Sequence, residues 1–147
     1  GTGRLMYLLH DITGDDRWLD WMHANMRGLL ATGAPETRSA GLWQNFSQCC
    51  GDAGIGDYAL SIGHATDRAE YRDLAERIET VVLAASVLDD GKRSWPQAEH
   101  RNRPDFVESQ TGYMQGAAGI ASFLLHLATI DAVTNSKIPL PDSPFTH

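Results

Sequence analysis

The feature that most restricts what this chain can fold into is a short glycine-led unit that occurs three times. Gly1-Thr-Gly-Arg-Leu5, Gly51-Asp-Ala-Gly-Ile55 and Gly116-Ala-Ala-Gly-Ile120 superpose at offsets of 50 and 65 residues. Behind each unit runs an apolar series at i, i+3, i+4 and i+7: Leu5, Leu8, Leu9, Ile12; then Ile55, Tyr58, Ala59, Ile62; then Ile120, Phe123, Leu124, Leu127. That spacing draws one face of a helix. The third stretch, from Gly116 to Thr129, is apolar nearly all round, which predicts a helix covered on several sides.

The first two units are each followed by a segment of different character, one from Asp15-Asp16 to Leu30 and one from Asp67-Arg68 through Ala85. Their acidic starts suit the positive end of a helix dipole. In the first, Trp18, Trp21, Met22 and Met26 are expected core contacts, and Gly33-Ala-Pro35 ends the helix. In the second, Leu74, Ile78, Val81, Val82 and Ala85 line one face, while Arg72 with Glu76 and Asp73 with Arg77 are spaced to pair on the wet one.

An apolar helix opened by small residues and followed by an amphipathic one, repeated every 50 to 65 residues, predicts an all-α fold of concentric helical hairpins. Three inner helices do not close a ring. The chain is then an open arc, completes itself by association, or has been separated from an N-terminal half with more repeats. Between the second and third units, Asp89 to Thr111 is polar and carries Gly91, Trp95-Pro96 and Pro104. This predicts a long loop with room for a small β ribbon, in which Lys92–Trp95 pairs with Leu42–Phe46. The tail, residues 136–147, holds Pro139, Pro141 and Pro144 and is expected to be extended.

Composition removes several classes of function. A net charge of −7 offers no cationic surface to phosphate backbones, which argues against nucleic acid. No apolar run reaches the roughly 18–20 residues of a membrane span, and no basic-then-apolar leader opens the sequence, so a cytoplasmic setting is the expectation. No Ser/His/Asp order, Walker-type loop or dinucleotide fingerprint is present, because the G-x-x-G units open apolar helices and follow no strand.

The two cysteines are neighbours, Cys49 and Cys50, immediately before Gly51. A disulfide framework is a poor explanation, since useful bridges close long loops and adjacent residues strain the bond. At a helix start, unpaired N–H groups favour a thiolate, which suits metal binding and nucleophilic chemistry equally. Two thiolates supply two of the three protein ligands of a catalytic zinc site, and the third must come from elsewhere. Against this stands the plain alternative that a cysteine pair at a tight helix start only fills space. His10, His23, His64 and His126 fall in helical segments, where packing is the ordinary role. His100 lies in the long loop beside Arg101 and Arg103 and has the better claim to function. A carbohydrate-active α/α barrel would need paired carboxylates, for which Asp52, Asp57 and Glu108 are the nominees.

Gln48-Cys-Cys-Gly-Asp-Ala-Gly-Ile-Gly56 and Gly112-Tyr-Met-Gln-Gly-Ala-Ala-Gly-Ile-Ala-Ser-Phe-Leu-Leu125 resemble the lanthionine synthetase C-like proteins. Leu8–Leu19, Trp95–His100 and Leu140–Phe145 resemble that family's inner-to-outer turn, long loop and tail, so the likeness runs through nearly the whole chain. It implies an α/α toroid, here an incomplete barrel of inner and outer helices over residues 1–147, with Cys49 and Cys50 as zinc ligands. The implied activity is zinc-dependent addition of a peptide cysteine to dehydroalanine or dehydrobutyrine, forming a thioether ring. The implied partner is a dehydrated peptide or a thiol substrate. The alternative is a non-catalytic binding or scaffold module. The family's other zinc cysteine and its acid/base residues belong to earlier repeats, before or at Gly1. Residues 1–147 alone are therefore expected to be inactive or to bind zinc weakly.

Overall fold

The computed structural model describes residues 1–38, 45–100 and 102–132, with the side chains at 99, 100 and 104 set aside. The expected extended tail, residues 42–44 of the strand expected at Leu42–Phe46 and the side chain of His100 lie outside the described residues. Among these the fold is mostly helical, with two small antiparallel sheets: α1 (Thr2–Thr13), α2 (Arg17–Ala31), α3 (Asp52–Thr66), α4 (Ala69–Ala85), β1 (Val87–Asp89), β2 (Lys92–Ser94), β3 (Pro96–His100), β4 (Arg103–Ser109) and α5 (Ala117–Thr129). None of these helices is long and apolar enough to cross a membrane.

The helices form where the periodicity placed them, and their ends have local causes. Gly14, at φ 67°, closes α1 by donating its N–H to the His10 carbonyl, a left-handed cap that glycine adopts without a Cβ penalty. Asp15 then accepts the Arg17 N–H at 3.0 Å, so α2 begins two residues later than its acidic start suggested. Asp67, at φ 52°, ends α3 in the same left-handed way.

The core lies between the hairpins. Met22 and Met26 of α2, Leu60 and Ile62 of α3, Tyr71, Leu74, Ile78 and Val82 of α4, and Ile120 and Phe123 of α5 form one buried cluster. The most enclosed helix is α3, buried on several sides from Asp52 to Gly63. The expectation for α5 was similar, but Leu125 is 46% exposed.

Two further expectations need correction. The apolar series of α1 is not its covered face, because Leu5, Leu8 and Ile12 are exposed while Gly3, Met6 and Tyr7 turn inward. Trp21 is 65% exposed and is not a core contact, unlike Met22 and Met26. On the wet face of α4, Arg72 does pair with Glu76 at 3.1 Å, but Arg77 reaches Glu36 at 3.0 Å rather than Asp73. A long guanidinium stem spans to whichever carboxylate the fold brings near, and sequence spacing states only one of the options.

The region expected to be a loop is two hairpins. Lys92–Ser94 pairs with Val87–Asp89, and of the 42–46 segment the described residues Asn45 and Phe46 are not in a strand. Asp90 and Gly91, both with positive φ, close a two-residue turn whose twist matches the flanking strands. Strands β3 and β4 pair from Pro96↔Ser109 to His100↔Arg103, with an irregularity between Ala98 and His100.

One half-buried contact makes stability depend on pH. The His23 ring Nδ1 lies 2.7 Å from the Tyr71 hydroxyl oxygen. Burial, then the positive charges of Arg68 and Arg27, holds its pKa below the ordinary histidine value of 6.5. The unfolded chain therefore takes up this proton first as pH falls. The contribution of the neutral ring is present above about pH 6.5 and is lost as pH drops through the folded value. Urea midpoints are expected to fall between about pH 7.5 and about pH 5, and His23→Gln is expected to flatten that slope; an unchanged slope in the variant would remove His23 from the account.

Candidate functional site

The loops that lead into α3 and α5 are built alike, residue for residue, at an offset of 65. Before α3, the N–H groups of Gly51, Asp52 and Ala53 donate to the carbonyls of Ser47, Asn45 and Phe46 at 3.1–3.2 Å. Before α5, those of Gly116, Ala117 and Ala118 donate to Gly112, Gln110 and Thr111 at 2.9–3.3 Å. Each loop folds back over its own helix, so the donors that a helix start leaves without partners are satisfied by the preceding turn. This corrects one part of the sequence argument, since the N–H groups expected to face the sulfurs are already occupied.

Close approach explains the glycines. A Cβ on Gly54 would run into the Gln48 carbonyl, and a Cβ on Gly119 into the equivalent Tyr113 carbonyl and, at 2.9 Å, the Gln48 Cβ. The loop of α3 is thereby pressed between its own helix and α5. The two loops also touch each other, the Cys49 N–H donating to the Met114 carbonyl at 2.9 Å.

Hairpin β3–β4 clamps both. Gln97 is 1% exposed; its Oε1 accepts the Phe46 N–H at 2.9 Å, and its Nε2 donates to the Gln115 carbonyl. Trp95 anchors the base of the hairpin, its indole N–H donating to the Val82 carbonyl at 2.8 Å. A single glutamine in a polar stretch carries no local signal, so the sequence does not mark Gln97 for this role.

On this platform Cys49 and Cys50 are both exposed and stand as thiols, their Sγ atoms 3.3 Å apart. The space-filling alternative called for burial among aliphatic groups, and neither side chain has it. The sulfurs border a cavity of about 450 Å³ whose wall includes Gly1–Arg4 at the start of α1, Asn25 and Leu29 of α2, Ile55 and Tyr58 of α3, and Met114. The starts of α1 and α3 and the loop before α5 thus meet at one opening. Burial pushes the Tyr58 phenol up to about 12, so near neutrality it keeps its proton.

Two sulfurs on one tetrahedral zinc, each at about 2.3 Å, would sit roughly 3.8 Å apart. The observed pair needs only a small side-chain rotation to reach that spacing, so these residues fit two corners of such a site. Among the described residues no group of three or more His, Cys, Asp or Glu side chains is placed to hold a metal ion.

The other nominees are placed elsewhere. Asp57 is buried in α3, with Oδ1 2.7 Å from the His126 Nδ1 of α5 and Oδ2 3.0 Å from the Arg4 guanidinium of α1. Asp52 is buried against Arg38, and burial raises its pKa from the usual carboxylate range against the pull of that cation. Glu108 is exposed on β4. None of the three lines the cavity, and the two buried carboxylates are each held by a cation or a ring, so no acid/base pair of carboxylates forms there. His10 rests against the Asp15 carbonyl, His23 against Tyr71, and His64 is exposed.

No curated protein and no solved structure matches this chain. A family profile described as "Lanthionine synthetase C-like protein" does, over residues 1–139. That stretch takes in every described helix, both hairpins and the paired cysteines at the cavity, and with so much of its length matched the chain belongs to the lanthionine synthetase C-like family.

Proposed function

We propose that Cys49 and Cys50 hold a zinc ion at the mouth of the cavity, and that the chain takes part in adding a cysteine thiol to dehydroalanine or dehydrobutyrine in a peptide. The observation that carries this reading is the pair of exposed sulfurs 3.3 Å apart, opening on space bounded by helix starts from separate hairpins. In the wider architecture α1, α3 and α5 are the inner helices of an α/α toroid and α2 and α4 the outer ones.

In the addition, the substrate thiol loses its proton, its sulfur bonds to the β-carbon of the alkene, and the α-carbon takes up a proton as the C=C pair is consumed. Zinc, when bound, supplies the Lewis acidity that keeps the substrate sulfur as thiolate near neutral pH. The chain's own residues set the surroundings. A pair of cysteine ligands, rather than cysteine with histidine, puts more negative charge on the ion and leaves the substrate sulfur more nucleophilic. Tyr58, protonated near neutrality, donates its hydroxyl to the Asn25 Oδ1 at 3.5 Å, and the Arg4 guanidinium, itself tied to Asp57, adds positive charge at the wall. The backbone of Cys49 is pinned to Met114, so the sulfur positions depend on the docking of α5 against α3.

Zinc titrated to saturation is expected to bind in a fixed ratio to chain, weakly where residues 1–147 stand alone. Changing either Cys49 or Cys50 to alanine should weaken zinc affinity by more than the roughly 10–100-fold that loss of an outer partner causes, and the double change should abolish binding. No zinc at saturating supply would sink the reading and favour the alternative, a scaffold module.

A further inference from the structure

Among the described residues, hairpin β3–β4 has one covered edge and one open one. On the β3 side, the Ala98 carbonyl accepts the Asn45 side-chain N–H at 3.4 Å, and Gln97 is buried against the loops before α3 and α5. On the β4 side, residues 105–112 are exposed without interruption. The ladder shows which backbone groups turn outward there. In an antiparallel pair, opposed residues alternate between those that exchange both hydrogen bonds and those that point both groups away. Ala98 gives its carbonyl to Asn45 and Pro96 has no N–H to donate, which puts their partners Val107 and Ser109 in the second class. Each of the two therefore turns its N–H and C=O to the outer edge of β4.

An open strand edge is a template for another extended backbone. The register shift of this hairpin lies toward its turn, opposite residues 103–107, whereas the end at Val107–Ser109 pairs regularly. That regular end is the one that leads to the cysteines. The chain runs on from Ser109 to Met114, which lines the cavity and accepts the Cys49 N–H at 2.9 Å. Val107, 47% exposed, adds apolar surface beside the edge. We propose that the outer edge of β4, at Val107 and Ser109, takes a peptide as a third strand and leads it to the cavity. The occupant is the dehydrated peptide of the proposed function, and the inference rests on that reading. A reaction on one residue of a peptide needs a hold on the chain away from the reacting atoms. A strand edge supplies that hold through main-chain groups and leaves the peptide's side chains free on both faces.

The test uses the full chain and synthetic peptides that carry one dehydroalanine and no cysteine, so that binding is read without reaction. With saturating peptide, amide exchange of Val107 and Ser109 is expected to slow about tenfold or more, while that of Glu108, whose N–H is already in the ladder, changes little. Methylating alternate backbone nitrogens of the peptide should abolish binding in one set and spare it in the other, because a strand presents every second N–H to its neighbour. Val107→Pro removes an outward donor that the ladder does not use, so the hairpin should persist. Its peptide affinity is expected to fall about tenfold with zinc affinity unchanged, and Val107→Thr should bind as the parent does. The methylated peptides test the same point without a variant. Absence of saturable binding, or equal binding by both methylated sets, overturns the proposal. A dimer that Val107→Pro disperses, with no peptide bound, gives the edge to a second copy and also overturns it. Zinc binding without slowed exchange at β4 sinks this inference alone. Slowed exchange with peptides with and without dehydroalanine alike, and no zinc at saturating supply, leaves a peptide-docking edge and sinks the proposed function.

Discussion

Replacing Asp57 by alanine is expected to cost about 3–5 kcal/mol of folding stability, a drop in melting temperature of roughly 10 °C for a chain of this size. The Asp57 side chain is 8% exposed and engages Arg4 through one oxygen and His126 through the other. Its loss leaves a guanidinium that is 19% exposed and an imidazole that is 2% exposed without the carboxylate around which both are arranged. Removing one partner of a buried pair leaves the desolvation cost of the other uncompensated, which is why the effect exceeds that of an ordinary surface ion pair.

The damage should be uneven. Helix α1 turns little apolar surface inward, with Leu5, Leu8 and Ile12 all exposed, so Arg4 to Asp57 and the seating of Gly3 against Tyr58 are among its main ties to α3. Amide exchange in α1 is therefore expected to rise more than in α4, whose apolar face is buried from Tyr71 to Val82. Asp57→Asn keeps an acceptor and most of the volume and should lose less. A stability change under about 1 kcal/mol in Asp57→Ala would show that the three helices do not depend on this carboxylate.

Gly119→Ala is the second large effect expected, and it reaches the cysteines. Alanine in place of glycine inside a helix ordinarily gains up to about 1 kcal/mol. Here the added Cβ meets the Tyr113 carbonyl and the Gln48 Cβ. The obstructing oxygen is backbone, and the turn that carries it is fixed by the Ala117 and Ala118 N–H bonds to Gln110 and Thr111, so a rotamer change gives no relief. Overpacking against a part that cannot yield costs roughly 1–3 kcal/mol, which outweighs the propensity gain. The movement should pass through Gln48 to the adjacent Cys49 and lower metal affinity as well as stability.

Gly28→Ala is the control. Gly28 sits within α2 with nothing near its added Cβ, and the change is expected to stabilise by up to about 1 kcal/mol. Chemical denaturation and zinc affinity on the two alanine variants separate the effects. A Gly119→Ala protein as stable as Gly28→Ala would overturn the close-packing account.

Much of the fold was legible in the residues because the signals were local. A period of 3.6 marks a helix wherever it lies, and the glycine units marked the starts of α1, α3 and α5 within a residue or two. The Asp90-Gly91 turn is also legible in principle, and the local pairing of Lys92–Ser94 with Val87–Asp89 follows from it. The exposure of Trp21 was not legible. A helix pattern states which residues share a face, and what covers that face is a property of the neighbours.

The candidate site divides in the same way. The adjacency of Cys49 and Cys50, their place before a helix and the 65-residue equivalence of the two glycine units were written in the sequence alone. They needed only short stretches of chain to take their preferred shapes. The meeting of Arg4, Asp57 and His126, the grip of Gln97 on two loops and the arrival of Met114 beside the cysteines were decided by tertiary structure. Those partners lie between 18 and 69 residues apart in the chain. A contact over that separation exists only after hairpins have docked, and docking is selected by the fit of whole surfaces, which no short window of residues encodes.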